Sequence, residues 1–324
     1  MRILGTGSAL PKFTLTNDRL TEFLDTSDEW IRTRTGIETR QVATDETSLS
    51  LATAAAAAAL ENAGLRAEDI DFLICSTVQA DTATPSLACV LQGAAGLNCP
   101  AVDINGACAG FIYALDYADA VLKAGKAKRV MVVCSELMTR LVDWTDRSTC
   151  VLFGDGAGAA VLRTGTGIEG DSAILASDIG SDGTLTDLLL VPGGGSAIPT
   201  TEHNIHEKLY TLAMRGNEVF RHAVEHMKNS ALSLIHRTGI KPEDVALVIP
   251  HQANLRIINA VTQRLGIPAE RVFVNLQKYG NTSGAACAIA LDEAVRTGRA
   301  KKGDIILMVT FGAGLTWSSA AIRL

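Results

Sequence analysis

Short unbroken apolar runs, such as Phe72-Leu73-Ile74-Cys75 and Val130-Met131-Val132-Val133, alternate along this chain with longer amphipathic or alanine-rich stretches. Runs of that length predict strands covered on both faces, and the stretches between them predict the covering helices. Met1 to Gly7 predicts an opening strand and turn, while Thr47 to Ala63 and Val219 to Thr238 predict helices. Gly64 to Ile74 can be laid over Gly239 to Ile249 without a gap, at an offset of 175 residues. The glycine, the Glu-Asp pair and the final isoleucine are identical. Each copy predicts a helix ending at its glycine, a polar turn and a buried strand. A second pair follows in the same order. Val102 to Asn105 leads to a helix over Gly106 to Ala124 and a strand over Arg129 to Cys134. A strand over Val272 to Asn275 leads through a longer turn to a helix over Thr282 to Thr297 and a strand over Ile305 to Thr310. Both helices carry Ala-Leu-Asp, at 114–116 and 290–292. The pattern predicts a duplicated α/β unit with halves 1–165 and 166–324. Two such sheets, with helices between and outside them, make a five-layer αβαβα sandwich. The segment from Gly180 to Glu207, rich in glycine, proline and threonine, predicts an excursion at a mouth or an interface.

Composition narrows the class. A chain of 324 residues with 47% apolar and 20% charged residues buries a large core. Its formal charge of -6 opposes a general nucleic-acid or anionic-membrane surface. The alanine-built stretch from Leu49 to Leu60 is too short to span a bilayer, so neither nucleic acid nor membrane is an expected partner. Seven cysteines without a Cys-x-x-Cys pair suit a reducing cytosol, and the opening residues lack the pattern of a signal peptide. A cytoplasmic location is the expectation.

Three separated polar residues carry the candidate chemistry. Cys108 lies in Asn105-Gly106-Ala107-Cys108-Ala109-Gly110, directly after a strand and opening a helix. A thiol there feels unpaired amides and the positive end of the helix, which favour thiolate; a buried small apolar residue is the other reading. The remaining six cysteines lack that placement and read as core. His251 follows Val248-Ile249-Pro250 at the C-terminal end of a strand, where α/β folds expose ligand-facing groups; a core or capping histidine is the alternative. Asn281 lies in Gly280-Asn281-Thr282-Ser283-Gly284, the second-half counterpart of the cysteine turn, and also reads as an N-cap. Together Cys, His and Asn suggest acyl transfer through a thioester, with His and Asn able to hold an enolate oxygen without competing charge. His222 and His226 share a helical face without the zincin pattern and read as surface, and no metal site is expected.

These motifs are ordered along the whole chain, from Gly5-Thr6-Gly7-Ser8 through Asp28-Glu29-Trp30-Ile31-Arg32-Thr33-Arg34 and Phe153-Gly154-Asp155-Gly156-Ala157-Gly158. Gly216-Asn217-Glu218, His251-Gln252-Ala253-Asn254, Gly280-Asn281-Thr282-Ser283 and Trp317-Ser318-Ser319-Ala320 complete the set. The chain thereby resembles the thiolase superfamily, and most closely the initiating condensing enzymes called beta-ketoacyl-acyl carrier protein synthase III. That resemblance implies a homodimer condensing an acyl-coenzyme A primer with malonyl-acyl carrier protein, with coenzyme A thioesters as substrates and no permanently bound cofactor. Cys108 would be acylated, and His251 and Asn281 would hold the malonyl-derived enolate. Gly312, Ala313 and Gly314 would form an oxyanion loop, where the family usually shows three glycines. Trp30 and Arg147 resemble an adenine clasp, Arg34 a contact near the nucleotide, and Asn217 and Asn254 groups along the pantetheine tunnel. Arg256, with Arg221 and Arg264, resembles the carrier-docking face.

Gly154-Asp155-Gly156-Ala157-Gly158 looks like a dinucleotide fingerprint, but the family uses it for close packing. Thr84 stands where acetyl-specific members carry phenylalanine, which closes the partner's acyl pocket, so a roomier primer pocket is expected. A degradative thiolase would want a second acid/base cysteine, for which Cys287 is a poor candidate, and a hydroxymethylglutaryl-type synthase a glutamate near the nucleophile, which is not evident in the sequence. Elongating synthases use two histidines. The alternative is a specialised homologue that primes a polyketide or transfers acyl groups, and it would retain every motif named.

Overall fold

The computed structural model describes residues 1–165 and 174–324, so the expected division between the halves falls at the edge of the described residues. The first half contributes β1 (Arg2–Ala9), β2 (Phe13–Thr16), β3 (Thr39–Val42), β4 (Phe72–Ser76), β5 (Ala101–Ile104), β6 (Arg129–Leu137) and β7 (Asp155–Arg163). The second contributes β8 (Ile174–Ser181), β9 (Leu189–Leu190), β10 (Ala213–Met214), β11 (Val245–Pro250), β12 (Ile305–Gly312) and β13 (Thr316–Arg323). The main sheets run β1-β7-β6-β4-β5 and β8-β13-β12-β11. In each, a parallel pair (β6 with β4, β12 with β11) adjoins two antiparallel strands. The repeat in the sequence is therefore a repeat of strand order and direction.

Val272 to Asn275 departs from the expected strand. Only a bridge from Val248 to Val272 and the Phe273 amide on the Val248 carbonyl, at 2.8 Å, remain of a fifth strand. The Gln252 side chain explains the loss. Its Nε2 donates to the Phe273 carbonyl at 3.1 Å, and its Oε1 accepts from the Asn275 and Leu276 amides at 3.0 and 3.2 Å. The backbone groups are satisfied by a side chain and the segment turns early.

Helices α1 (Asn17–Leu20), α2 (Asp28–Thr35) and α8 (Leu276–Tyr279) are short connectors. Helices α3 (Ser48–Ala63) and α4 (Leu87–Ala94) cover the outer face of the first sheet, and α6 (Gly216–Thr238) and α7 (Leu255–Arg264) that of the second. Between the sheets lie α5 (Gly110–Lys123) and α9 (Ala285–Arg296). Five layers result. In the central layer Phe111, Leu115 and Ile289 pack against Val132 and Leu162 of one sheet and Ile249 and Met308 of the other. Each such side chain contributes about 1.5–3 kcal/mol through burial.

The alanine run of α3 is a packing surface: a Cβ on Gly7 of β1 would lie 2.4 Å from the Ala55 carbonyl. Gly158 of β7 would likewise place a Cβ 2.5 Å from that of Ala288 on α9, so the Gly-Asp-Gly-Ala-Gly run serves packing, as expected. Among the described residues no helix is long and apolar enough to cross a membrane.

Candidate active site

Cys108 stands on a turn that few sequences could make. Ala107 takes φ 48, outside the usual range for a side chain with a Cβ, and its amide donates to Asn105 Oδ1 at 3.1 Å. A single 3-10 turn over Ala107–Ala109 then runs into α5. Gly110 packs against Ser76, whose Oγ would lie 2.0 Å from a Cβ there and would have to turn away. Gly312, at the end of β12, lies so close that its Cβ would meet the Cys108 amide nitrogen at 2.6 Å. The loop from Gly312 to Gly314 is thereby set directly against the Cys108 backbone. Thr316 Oγ1 ties that loop to the cysteine turn, lying 2.9 Å from the Ala313 carbonyl and 3.0 Å from that of Gly106.

His251 follows the last residue of β11, and its amide donates to the Val309 carbonyl at 2.8 Å. Its Nδ1 is buried without a protein partner among the described residues, and burial lowers the imidazole to about 4. A neutral ring is the outcome at physiological pH. Asn281 does not cap α9, whose N-cap position is Gly284. Instead its Oδ1 accepts from the Ser283 amide at 2.9 Å, and its backbone bridges to the first half by the Leu152 carbonyl and the Gly154 amide. With Oδ1 engaged, the amide nitrogen is the group left to meet a ligand.

All three residues line one cavity of about 990 Å³. Trp30, Arg34, Asn217, Asn254, Arg256, Ala313 and Gly314 line it as well. The Arg34 and Arg147 guanidiniums lie 4.5 and 5.1 Å from the Trp30 ring centroid. Arg147 also donates to the Asp25 carbonyl. Asn254 is the N-cap of α7 and donates to the Arg34 carbonyl at 3.1 Å, so it joins the Trp30 segment to the His251 segment. Arg256 lies 5.6 Å over the Phe220 ring at the same cavity, whereas Arg221 and Arg264 are exposed outside it. The excursion after β8 forms part of the mouth: Leu189, Leu190 and Val191 line the cavity, with Tyr210 and Leu212 from its return. Thr84 is exposed and does not reach this chain's own cavity.

Several expectations change. Burial pushes the Cys108 thiol up to about 12, despite the hydrogen bond to Ser283, so desolvation outweighs the helix end and Cys108 rests as a thiol. Cys89 is exposed rather than core, near the N-terminus of α4. His226 is half-buried, stacked 4.2 Å from the Trp317 ring, because β13 brings that indole under α6. Glu136, at the end of β6, and Ser283 were not singled out by sequence reasoning. A carboxylate closing the apolar run from Val130 is the signal that could have found the first.

Residues 102–183 and 235–324 match the family models described as 3-oxoacyl-[acyl-carrier-protein (ACP)] synthase III and its C-terminal part. A beta-ketoacyl-[acyl-carrier-protein] synthase III from Caldanaerobacter subterraneus subsp. tengcongensis is 49% identical over 99% of this chain and 97% of its own length. The crystal structure of a 3-oxoacyl-[acyl-carrier-protein] synthase III from Aquifex aeolicus superposes with a TM-score of 0.91 at 47% identity, covering 100% and 99% of the two chains. The priming beta-ketosynthase of the R1128 polyketide pathway superposes with a TM-score of 0.91 at 36% identity, covering 99% and 96%.

Proposed function

The chain belongs to the beta-ketoacyl-[acyl-carrier-protein] synthase III family of condensing acyltransferases, and we propose that Cys108 is its acylated nucleophile and that His251 and Asn281 hold the enolate. The observation that carries this reading is the convergence of all three residues, from both halves of the chain, on one cavity. An acyl-coenzyme A primer enters past Trp30 and Arg34, with Arg147 beside the indole and Asn217 and Asn254 along the tunnel. Cys108 Sγ attacks the thioester carbonyl, whose oxygen is received by the Cys108 amide and the Gly312-Ala313-Gly314 loop. Coenzyme A leaves. Malonyl-acyl carrier protein then docks at the basic face of Arg256, Arg221 and Arg264 and delivers its arm through the same mouth. Loss of carbon dioxide leaves an enolate, to which neutral His251 and the Asn281 amide donate, and its carbon attacks the acyl-enzyme. The working unit is a cytoplasmic homodimer placed at the start of fatty acid synthesis, with residues 1–165 bearing the nucleophile and 166–324 the His and Asn. Thr84 of each subunit faces the other's primer pocket.

Intact-protein mass after incubation with acetyl-, isobutyryl- and octanoyl-coenzyme A tests the assignment, with Cys108→Ala beside it. An adduct on the wild type that the variant lacks, discharged by malonyl-carrier as beta-ketoacyl-carrier, is the expected result. A Thr84→Phe variant is expected to lose the bulkier adducts first. An adduct that malonyl-carrier never discharges would move the protein to acyl transfer in a specialised pathway.

A further inference from the structure

Glu136 is fully buried on β6, and among the described residues no cation accompanies it. Its Oε2 accepts from the Val78 amide at 3.1 Å and lies 3.4 Å from the Thr77 hydroxyl. Its Oε1 faces the second half, 3.4 Å from Ser283 Oγ, and the Gly284 amide also bonds the carboxyl. Ser283 Oγ in turn lies 3.5 Å from Cys108 Sγ, which donates to it. One hydroxyl thus stands between the nucleophile and a buried carboxyl. Ser283 holds that place at φ 51, where glycine or asparagine is the ordinary choice, and its side chain is what joins the two groups.

We propose that Ser283 and Glu136 form a proton relay for Cys108, an inference that rests on reading Cys108 as the acylated nucleophile. As Sγ attacks the primer carbonyl, the thiol proton passes to Ser283 Oγ and the serine proton passes to Glu136 Oε1. The new bond joins Sγ to the acyl carbon, the bond from that carbon to the coenzyme A sulfur breaks, and the departing thiolate takes a proton from solvent. When the enolate later displaces the acyl group, the Cys108 thiolate recovers its proton from Ser283 and Glu136 gives up the one it stored. The cycle closes with the thiol and the carboxylate restored.

His251 is the rival base, and it is the weaker one. Burial holds its imidazole down to about 4, whereas burial raises Glu136 to about 8 against four hydrogen bonds that pull it down. A group that exchanges its proton near neutral pH both accepts and returns it readily. The titratable groups facing Glu136 are the thiols of Cys108 and Cys134, and burial lifts Cys134 well above its ordinary value.

The test uses the full chain as wild type, Ser283→Ala, Glu136→Gln and the double variant. Two rates are read. One is single-turnover transfer of acetyl from acetyl-coenzyme A to Cys108, followed by intact mass. The other is decarboxylation of malonyl-carrier in the same set bearing Cys108→Ala. Each single variant is expected to lower the ratio of acylation to decarboxylation by roughly 10²-fold, and the double variant no further. The wild-type acylation rate is expected to climb between about pH 6 and 8, and both single variants to lose that climb. Should Glu136→Gln not fold, Ser283→Ala alone decides, because loss of the hydroxyl must also abolish the climb. Parallel loss of both rates, additive loss in the double variant, or a retained pH climb overturns the relay. Glu136 would then be a support for the Asn281 turn. A wild type that accepts no acyl group from any primer defeats the nucleophile assignment, and the relay with it.

Discussion

At the scale of single residues, burial sets the charge state of both Cys108 and His251. Cys108 is neutral because its thiolate would be desolvated, and His251 is neutral because its imidazolium would be. A neutral imidazole suits donation to an enolate, since an imidazolium would arrest the reaction by transferring its proton. Malonyl decarboxylation in a Cys108→Ala background is therefore expected to show no inflection from His251 between about pH 5.5 and 8. An inflection near 6.5 that His251→Gln removes would contradict the buried neutral ring. The same shift has a consequence for stability. The unfolded histidine takes up its proton near 6.5 and the folded one near 4, so in that window the unfolded chain binds more protons. The stability it contributes is full above 6.5 and is lost as pH falls toward 4, by about 3 kcal/mol. Glu136 carries a slope in the other direction, because its raised value lets the folded state hold a proton that the unfolded state has lost. That contribution is full below 4.5 and is lost as pH rises through about 8. Urea unfolding of wild type and His251→Gln at several pH values separates the two, since Glu136 cancels in the difference.

At the scale of elements, the strand and helix ends that carry the site pack closely against one another behind the cavity. Gly312 closes β12 against the Cys108 amide, and a methyl group there would have to move backbone. On the proposed reading, Gly312→Ala is expected to destabilise by about 1–3 kcal/mol and to slow acylation of Cys108 more than malonyl decarboxylation, because it displaces the Cys108 turn. Thermal unfolding and the two half-reactions measure both effects; equal slowing of the two would place the damage elsewhere. The sequence made several of these ends readable. Gly64 and Gly239 terminate their helices with φ 64 and 67, and the two Glu-Asp turns and the strands after them recur at their offset. Cys108, His251 and Asn281 could be found because each follows or opens a predicted element. Val272 to Asn275 reads as a strand because Val-Phe-Val is an unbroken apolar run, while the Gln252 side chain that takes its hydrogen bonds lies twenty residues upstream. Glu136 escaped notice for a related reason: its meaning lies in Val78, Ser283 and Gly284, which only the fold brings to it.

At the scale of the whole molecule, the duplication is more than a shared outline. The two Ala-Leu-Asp triplets end in Asp116 on α5 and Asp292 on α9, and each aspartate reaches the edge strand of the opposite half. Asp116 Oδ1 accepts from Ser177 of β8. Asp292 accepts from Thr6 Oγ1 of β1 at 2.9 Å and from Ser8 Oγ at 2.6 Å, with Arg296 Nε at 2.9 Å from Oδ2. Since β1 and β8 hold the same place in their sheets, these contacts are one interaction made twice across the pseudo-symmetric centre. The Asp292 side chain is 1% exposed, whereas that of Arg296 is 52% exposed. The arginine can turn to water when its partner is removed, but the Thr6 hydroxyl cannot. Asp292→Ala is thus expected to destabilise by about 3 kcal/mol, most of it from stranded donors rather than from the lost ion pair. Replacing both partners together separates those causes. Adding Thr6→Val and Ser8→Ala to Asp292→Ala removes the stranded hydroxyls and should recover part of the loss, whereas Arg296→Ala alone should cost little. Urea midpoints at constant slope measure all three variants against the wild type. A large effect of Arg296→Ala with a small one of Asp292→Ala would mean that the halves are held by surface charge, and the paired aspartates would be a coincidence of the repeat.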